Sequence, residues 1–279
     1  FGVSPDEAHY VEWSRRLDLA YYSKGPFIAW AIAACRYFFG HSEVALRLPA
    51  VFCYSLFSLC FYLFVRKEYA PRTALLSWLM LRSMLIFAQS GFLMTTDAPA
   101  LLFWMLALWS GYEAGVKDNK KHWLLFGVSA AIGVLGKYTV ALIYPAVVIF
   151  LFLSPKRSRV LLSPHFVAGA LLFFLCISPI IIWNSNHAWV NFAHNSGHLL
   201  HDEGVYLTPR YFFELLGGQL ALAGPLILLG SIWAVYASFC WDRGSPKLLY
   251  FAASAAPVLV LVVLVSLTKR VYANWPLPF

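Results

Sequence analysis

Long runs of apolar residues, separated by short polar segments, dominate the chain from residue 46 onward. A helix needs about 20 mainly apolar residues to cross a bilayer, and several of these runs approach that length. The pattern predicts about eight transmembrane helices, over residues 46–65, 73–90, 98–115, 122–136, 138–154, 165–183, 212–240 and 248–267. The run from Pro26 to Phe39 is too short to span and predicts an interfacial or re-entrant helix.

A further short helix is predicted before that run, beginning after Ser4 and ending near Leu19. Ser4 and Glu7 have the spacing of a capping box, and Pro5 stands at the first helical position. The predicted fold class is therefore all-α, a polytopic membrane bundle with a pair of amphipathic helices in an outer loop.

Basic residues are distributed unevenly between the apolar runs. Lys and Arg are concentrated in the loops 66–72, 116–121, 155–164 and 241–247. The positive-inside rule places these loops in the cytoplasm. The outer side then receives residues 1–45, the turns at Asp97 and Lys137, the loop 184–211 and the C-terminal tail.

Composition agrees with a membrane protein: 61% of the residues are hydrophobic and 12% are charged, whereas soluble domains have about 25% charged residues. These values exclude a soluble enzyme and a disordered chain. The net charge of +8 is explained by the basic loops, so no nucleic-acid partner is expected. We expect one membrane-embedded domain over 1–279, truncated at both ends, with these parts: first outer loop 1–45, central spans 46–183, outer loop 184–211 and last spans 212–279.

Three carboxylates lie in the predicted outer segments. Asp6 and Glu7 suit the first turn of a helix, where acids favour the dipole, but they could also accept a proton or hold a metal. Asp97 either caps the third span or faces water or a partner, because an acid in an apolar helix is costly.

Two lysines occupy outer turns. Lys137 joins two spans with almost no loop, and the preceding helix of about 15 residues covers roughly 22 Å, less than a hydrocarbon core of roughly 30 Å. This turn is therefore recessed, and Lys137 either snorkels or lines a cavity for an anionic headgroup, which we favour. Lys24 either binds phosphate or flanks the interfacial helix.

Histidines are clustered in the second outer loop. His194, His198 and His201 would share one face of a helix, as the ligands of a divalent metal can. Their spacing matches no specific zinc signature, which favours a solvated loop. His187 precedes this group.

Five stretches, in order, resemble a known family. They are PDEAHYVEWSRRL, YYSKGPFIAW followed by ALRLPA, TTDAPALLFW, LGKYT and WNSNHAWVNF, and the terminal ANWPLP also fits. The ordered set resembles the GT-C membrane glycosyltransferases of the protein O-mannosyltransferase and aminoarabinose transferase type. In that family the donor is a sugar on a polyprenyl phosphate, and the acceptor meets it at the extracytoplasmic face.

The resemblance implies a role for each matching residue. Asp6 matches an essential acid in the first outer loop, and Asp97 matches a second acid that opens a later span. Lys24 and Lys137 match lysines that contact the donor phosphate.

The resemblance also includes a metal-binding histidine. His187 approximately matches a histidine that, in the aminoarabinose branch, shares a metal with a carboxylate just before the first-loop lysine. Ser23 stands at the position of that carboxylate, and Gly25 replaces the usual proline.

The sequence therefore predicts an inverting glycosyltransferase of a bacterial inner membrane, with its site facing the periplasm. It would move a sugar from a polyprenyl-phosphate donor to lipopolysaccharide, lipid A or a protein. Asp6 is the candidate base, and the two lysines would stabilise the leaving phosphate. Two alternatives remain: a transporter or flippase for an amphiphilic anion, which Arg82 inside the second span suits better, and a scaffold whose carboxylates only cap helices.

Overall fold

The computed structural model describes residues 2–154, 157–197, 207–240, 245–272 and 274–275. Within these ranges the chain forms α-helices and short 3₁₀ helices, and no strand occurs among them. The helices are α1 (Pro5–Arg15), α2 (Phe27–Phe39), α3 (Glu43–Glu68), α4 (Pro71–Ser83), α5 (Leu85–Ser90), α6 (Asp97–Gly115), α7 (His122–Gly136), α8 (Ile143–Leu153), α9 (Pro164–Asn186), α10 (Val190–Gly197), α11 (Arg210–Ala223), α12 (Pro225–Cys240) and α13 (Pro246–Ser266). The 3₁₀ helices cover Tyr138–Leu142 and Ser158–Leu162. The predicted all-α class is confirmed.

Serine side chains begin several of these helices. The Ser4 hydroxyl accepts a hydrogen bond from the Glu7 amide, and the Glu7 carboxylate accepts one from the Ser4 amide, which completes the predicted capping box. Ser42, Ser163 and Ser245 cap α3, α9 and α13 in the same position.

The centre of the bundle is formed by α6 and α7. α7 packs against α6 on one side and α9 on the other, while α3 covers another side of α6 and α8 packs against α13. Gly127 and Gly169 allow the close approach of α7 and α9, because a Cβ on either would overlap a backbone carbonyl of the facing helix. Such small residues let helices pack tightly where lipid gives no hydrophobic drive for association.

Three of the described helices are long and apolar enough to cross a membrane: α3, α9 and α13. The expected single helix over 212–240 is wrong, since α11 and α12 meet at an angle of 110°. Gly224 lies at this bend. Its φ angle of +84° is in the left-handed region, which residues with a side chain rarely adopt. Counted as one span, the bent pair gives a fourth crossing, and the number of about eight stays a prediction.

Two other predicted spans are interrupted. Met84 has an extended backbone and separates α4 from α5 within the run 73–90. The run 138–154 begins with a 3₁₀ helix before α8 starts. In contrast, α2 has only 13 residues, as its short apolar run predicted.

One end of the bundle carries the basic loops. The ammonium of Lys67 lies 2.6 Å from the Glu113 carboxylate. Glu68 is shared by Lys117 and Lys247, at 3.3 Å and 3.4 Å. Loops that the charge pattern assigned to the cytoplasmic side therefore meet in space, and their cations are paired with carboxylates at the helix ends.

Candidate active site

A cavity of about 500 Å³ lies at the end of the bundle opposite to Glu113. Asp6 from the first turn of α1 and Asp97 from the first turn of α6 both line it. Its walls also include α5 and the C-terminal tail. Segments that the sequence placed on the outer side thus converge on one polar cavity.

Asp97 and Lys137 form an ion pair beside this cavity. The Lys137 ammonium lies 2.7 Å from Oδ1 of Asp97 and also donates to the Asn274 carbonyl at 3.2 Å. The side-chain amide of Asn274 donates a hydrogen bond to Oδ2 of Asp97, at 3.1 Å. The residue before α6 is Thr96, and no side chain caps the helix there. Asp97 therefore holds Lys137 and the tail in place, instead of capping α6.

Lys24 belongs to the same charged group. Burial lowers its pKa from the usual 10.5, and the nearby charge of Lys137 lowers that pKa further, whereas Asp6 and Asp97 oppose the shift. The two lysines therefore lie close enough to repel each other.

The turn that carries Lys24 is held by α10. The side chain of Asn191 is fully buried, and its amide donates to the backbone carbonyls of Tyr21 and Lys24. Asn195 donates to the Ser23 carbonyl at 3.2 Å. These bonds fix the position of Lys24 through backbone atoms and leave its ammonium group for the site.

Gly25 presses this turn against the end of α7. A Cβ at this position would overlap the backbone carbonyl of Leu135, two residues before Lys137. The absence of a side chain at Gly25 therefore allows the Lys24 turn to approach the Lys137 turn closely. This gives a physical reason for the glycine at a position where the resembling family has proline.

Asp6 and Glu7 are adjacent in sequence but face different surroundings. Asp6 is exposed and lines the cavity. Tyr10, one turn further along α1, is buried; burial raises its pKa, and the charges of Asp6 and Asp97 raise it further. Both carboxylates are therefore close to the same tyrosine.

Glu7 is fully buried and is not among the residues that line the cavity. Arg47 binds both of its oxygens at 2.9 Å, and the amides of Ser4 and Met94 donate to it at 3.0 Å and 3.1 Å. Burial alone would raise the pKa of Glu7, but these hydrogen bonds and the Arg47 charge lower it to about 2. The geometry thus makes Glu7 a link between α1, α3 and the segment before α6, and a catalytic role for Glu7 stays a prediction.

The two described histidines of the second outer loop contact aromatic rings. His187 stacks on Trp183 with ring centres 4.0 Å apart, and its Nδ1 lies 2.8 Å from the Trp183 carbonyl. His194 lies against Tyr22, with ring centres 4.5 Å apart. His198, the third expected residue, lies outside the described residues.

No group of three His, Cys, Asp or Glu side chains suited to a metal occurs within the described ranges. At the position of the expected carboxylate ligand stands Ser23, whose carbonyl is bound by Asn195. The Nδ1 of His187 lies 2.8 Å from the Trp183 carbonyl in α9, which leaves Nε2 as the ring nitrogen open to a ligand. Position 23 lacks the carboxylate of the metal pair in the aminoarabinose branch, and the divalent metal stays a prediction.

Sequence reasoning missed several residues that organise the site. Arg47, Asn191 and Asn274 lie within the stretches ALRLPA, WNSNHAWVNF and ANWPLP, and those family-like stretches were the signal that could have found them. Ala188 and Trp189, between α9 and α10, have positive φ angles of 51° and 58°. This conformation costs free energy in non-glycine residues. Here it turns the chain so that α10 reaches the Lys24 turn.

Residues 23–183, more than half of the chain, match the dolichyl-phosphate-mannose-protein mannosyltransferase family. The chain belongs to this family. The match begins one residue before Lys24 and ends at Trp183, so it includes Lys24, Asp97 and Lys137. The resemblance stated from the ordered motifs is thereby confirmed.

Individual relatives add detail. The chain is 26% identical over 271 residues to the lipid A galacturonosyltransferase RgtD of Rhizobium johnstonii, covering 97% of this chain and 56% of that protein. It is 29% identical over 193 residues to an undecaprenyl phosphate-alpha-4-amino-4-deoxy-L-arabinose arabinosyl transferase of Pseudomonas aeruginosa, covering 62% and 35%. The chain therefore spans about half the length of the first relative and about a third of the length of the second.

Solved structures show the same fold. The crystal structure of ArnT from Cupriavidus metallidurans bound to undecaprenyl phosphate superposes with a TM-score of 0.76, covering 99% of this chain and 53% of that one. The apo structure gives 0.74. Sequence identity to both is 18%, so the likeness establishes the architecture alone.

Proposed function

We propose that this chain is the membrane-embedded part of an inverting glycosyltransferase that takes a sugar from a polyprenyl-phosphate donor. One observation carries the proposal: Asp6 and Asp97 line one cavity, the Lys137 ammonium lies 2.7 Å from Asp97, and the charges of all three act on the pKa of Lys24. Family membership and the fold support the same reaction class.

The donor phosphate is placed between Lys24 and Lys137. A phosphate is already a good leaving group at neutral pH, so it needs cations more than a proton donor. Asp97 keeps the Lys137 ammonium in position through the 2.7 Å contact and so acts as a positioning residue. Burial of Lys24 strengthens the interaction with an anion, because little water screens it.

The acceptor hydroxyl is placed at Asp6. In the transfer step the hydroxyl oxygen forms a bond to the anomeric carbon, and the proton passes to the Asp6 carboxylate. The bond between the anomeric carbon and the phosphate oxygen breaks, and its electron pair leaves with the phosphate. Attack from the face opposite the phosphate inverts the anomeric carbon.

The remaining expected residues are placed around these groups. Glu7 holds α1 through Arg47 and takes no part in the proton transfer. We place His187 and His194 on the acceptor side, since both follow the end of α9 and His194 packs on the exposed ring of Tyr22. His198 is proposed for the same side from the sequence alone.

The acceptor is proposed to be a lipid of the lipopolysaccharide type, with lipid A as the first choice and a protein as the alternative. The relative that covers 97% of this chain is named for lipid A, while the family as a whole is named for a protein acceptor. We place the enzyme in a bacterial inner membrane with the cavity on the periplasmic side, because the opposite end carries the basic loops.

The proposal is tested by measuring transfer from a lipid-linked sugar to lipid A with purified protein. Asp6→Asn should lower kcat by about 10²- to 10⁴-fold, the usual contribution of a general base. Glu12→Gln is the matched control, because Glu12 is exposed on the same helix and, among the described residues, its carboxylate is paired with Arg15 alone. Full transfer activity in the Asp6→Asn variant would show that Asp6 is not the general base.

The transporter alternative is separated by a second measurement. Reconstituted vesicles that move the lipid-linked sugar across the bilayer without forming a glycosidic bond would overturn the enzyme proposal. A scaffold would instead show lower stability in Asp6→Asn, with activity lost only in proportion to unfolded protein.

A further inference from the structure

Arg82 lies inside an apolar run, and the proposed reaction does not use it. It occupies the last turn of α4, and its side chain is exposed on the outside of the bundle. Within the described ranges it forms no ion pair. A cation in the hydrocarbon region is costly unless an anion or water reaches it, so such residues usually mark a site.

The depth of Arg82 follows from its contact with α3. Its guanidinium lies 5.1 Å from the ring centre of Tyr54. Tyr54 is about 12 Å along the axis of α3 from Leu46, where the apolar run begins. Arg82 is thus below the outer surface of the membrane and remote from the cytoplasmic loops.

Two aromatic rings hold the guanidinium. Besides Tyr54, the ring of Trp78 lies 5.7 Å from it. Trp78 is itself fixed, since its indole N–H donates to the Ser58 hydroxyl at 2.7 Å. The Tyr54 ring packs on Gly91, where a Cβ would overlap it. The rings orient the positive charge through cation–π contacts but do not neutralise it.

The space beside Arg82 is large enough for a polar group. Two cavities of about 430 Å³ and 280 Å³ lie along α3, and both are lined by Ser55 and Arg82. Tyr54 lines the smaller one, and its hydroxyl is buried next to the Arg82 guanidinium. A buried hydroxyl beside a cation that has no ion pair in the described ranges suits an oxyanion, which accepts hydrogen bonds from both.

We propose that this groove, defined by Tyr54, Ser55, Ser58, Trp78 and Arg82, binds the phosphate of an anionic glycerophospholipid from the outer leaflet. The rim of the groove includes Leu59 and Leu75, which are exposed and would contact the acyl chains. The groove shares no lining residue with the cavity of Asp6 and Asp97. It is therefore a lipid site separate from the proposed reaction.

The shortness of α4 explains how a headgroup reaches this depth. α4 has 13 residues, which cover about 20 Å, less than a hydrocarbon core of roughly 30 Å. A bilayer thins locally beside a short apolar element. In the proposed site, thinning beside α4 lets outer-leaflet phosphates approach Arg82, next to the break at Met84 that separates α4 from α5.

Native mass spectrometry of the full chain in detergent, titrated with phosphatidylglycerol, tests the site. Arg82→Gln should weaken lipid binding about 10-fold or more, and Tyr54→Phe about 3-fold, as expected for a charged and a neutral hydrogen bond. Arg72→Gln is the matched control, since Arg72 is exposed at the other end of α4 and lines neither cavity. Arg82→Lys should bind with intermediate strength, because it keeps the charge and loses the planar fork.

Three outcomes would overturn the proposal. Equal binding by the Arg82→Gln and Arg72→Gln variants would show that Arg82 is not a lipid contact. Equal retention of uncharged diacylglycerol and phosphatidylglycerol would show that no phosphate is recognised. Displacement of phosphatidylglycerol by equimolar undecaprenyl phosphate would assign the groove to the carrier lipid instead. If Arg82→Gln fails to fold, Tyr54→Phe and Arg82→Lys still decide, and unchanged binding in both would reject the site.

Discussion

The Lys137 ammonium lies 2.7 Å from the Asp97 carboxylate, although 40 positions separate the two residues. Both side chains are largely buried, with exposed fractions of 14% and 10%. Asn274 bonds to both members of the pair. A lysine that could have snorkelled to the membrane surface is instead held beside the cavity.

This ion pair should act as a unit in catalysis. Asp97→Asn and Lys137→Met should each lower kcat/KM about 10²- to 10³-fold, the usual loss when one electrostatic contact to a developing charge is removed. The double variant should be little worse than either single one, because residues that act together are not additive. Steady-state transfer kinetics of the four proteins test this coupling.

Lys120→Met is the control for the pair, since Lys120 is exposed in a basic loop at the other end of the bundle. It should leave kcat/KM unchanged. Losses from Asp97→Asn and Lys137→Met that simply multiply in the double variant would contradict a shared role.

Glu7 should contribute to stability and not to chemistry. Glu7→Gln leaves the largely buried Arg47 with the more distant and exposed carboxylate of Glu43, at 3.8 Å, and breaking a buried pair costs about 3–5 kcal/mol. Thermal unfolding in detergent should therefore begin at a clearly lower temperature than in the Glu12→Gln control. A Glu7→Gln/Arg47→Met double variant should recover part of the loss, and a specific activity defect in well-folded Glu7→Gln would refute this assignment.

Glu7 also predicts an acid limit to stability. Its pKa in the folded protein is about 2, against an ordinary value of 4.5. A carboxyl with a lowered pKa stabilises the folded state fully above the ordinary value, and this stabilisation is lost as the pH falls from 4.5 towards 2. The melting temperature of the wild type should fall across this interval more steeply than that of Glu7→Gln. Parallel curves would show that Glu7 does not titrate with folding.

Lys24 should set an alkaline limit to activity. Burial and the Lys137 charge lower its pKa below 10.5, so it loses its proton at lower pH than an exposed lysine. The plot of kcat/KM against pH should therefore decline at alkaline pH. Lys24→Arg should move this decline to higher pH because arginine keeps its proton. The quantity to compare is the pH at which kcat/KM declines, and not the absolute rate. An identical alkaline limb in Lys24→Arg and in a Lys120→Arg control would exclude Lys24 as its origin.

Gly25→Ala should disturb the distance between the two lysine turns. The added Cβ meets the backbone of Leu135, which cannot turn away as a flexible side chain can. Overpacking of this kind costs about 1–3 kcal/mol, and we expect lower thermal stability together with a higher KM for the donor. Gly217→Ala is the matched control, because nothing lies within 4 Å of a Cβ there. Equal behaviour of the two variants would show that the turn has room to adjust.

The sequence by itself determined the elements and the family. Apolar periodicity placed helices close to their observed bounds, as for 122–136 and α7, because burial in lipid requires a continuous apolar run. The capping box at Ser4 and Glu7 was visible because caps are local. The ordered motifs named the family, since four of the five contain a charged residue and all occur in the same order along the chain.

Breaks within apolar runs were not visible in the sequence. The bend at Gly224 and the extended residue Met84 leave the hydrophobic pattern intact, because a broken helix and a straight one bury similar side chains. Only packing against neighbouring helices selects between them. The predicted single helix over 212–240 therefore had the right composition and the wrong geometry, and the run 73–90 is interrupted at Met84.

The partners of the charged residues were decided by the tertiary structure alone. Asp6 and Glu7 are neighbours in a capping turn, yet one faces the cavity and the other is buried against Arg47, since successive residues of a helix point in different directions. Lys137 finds Asp97 and Asn274 because distant segments meet at one end of the bundle. The sequence shows which residues carry charge. Packing between distant segments determines which of these charges are paired with each other and which remain for a ligand.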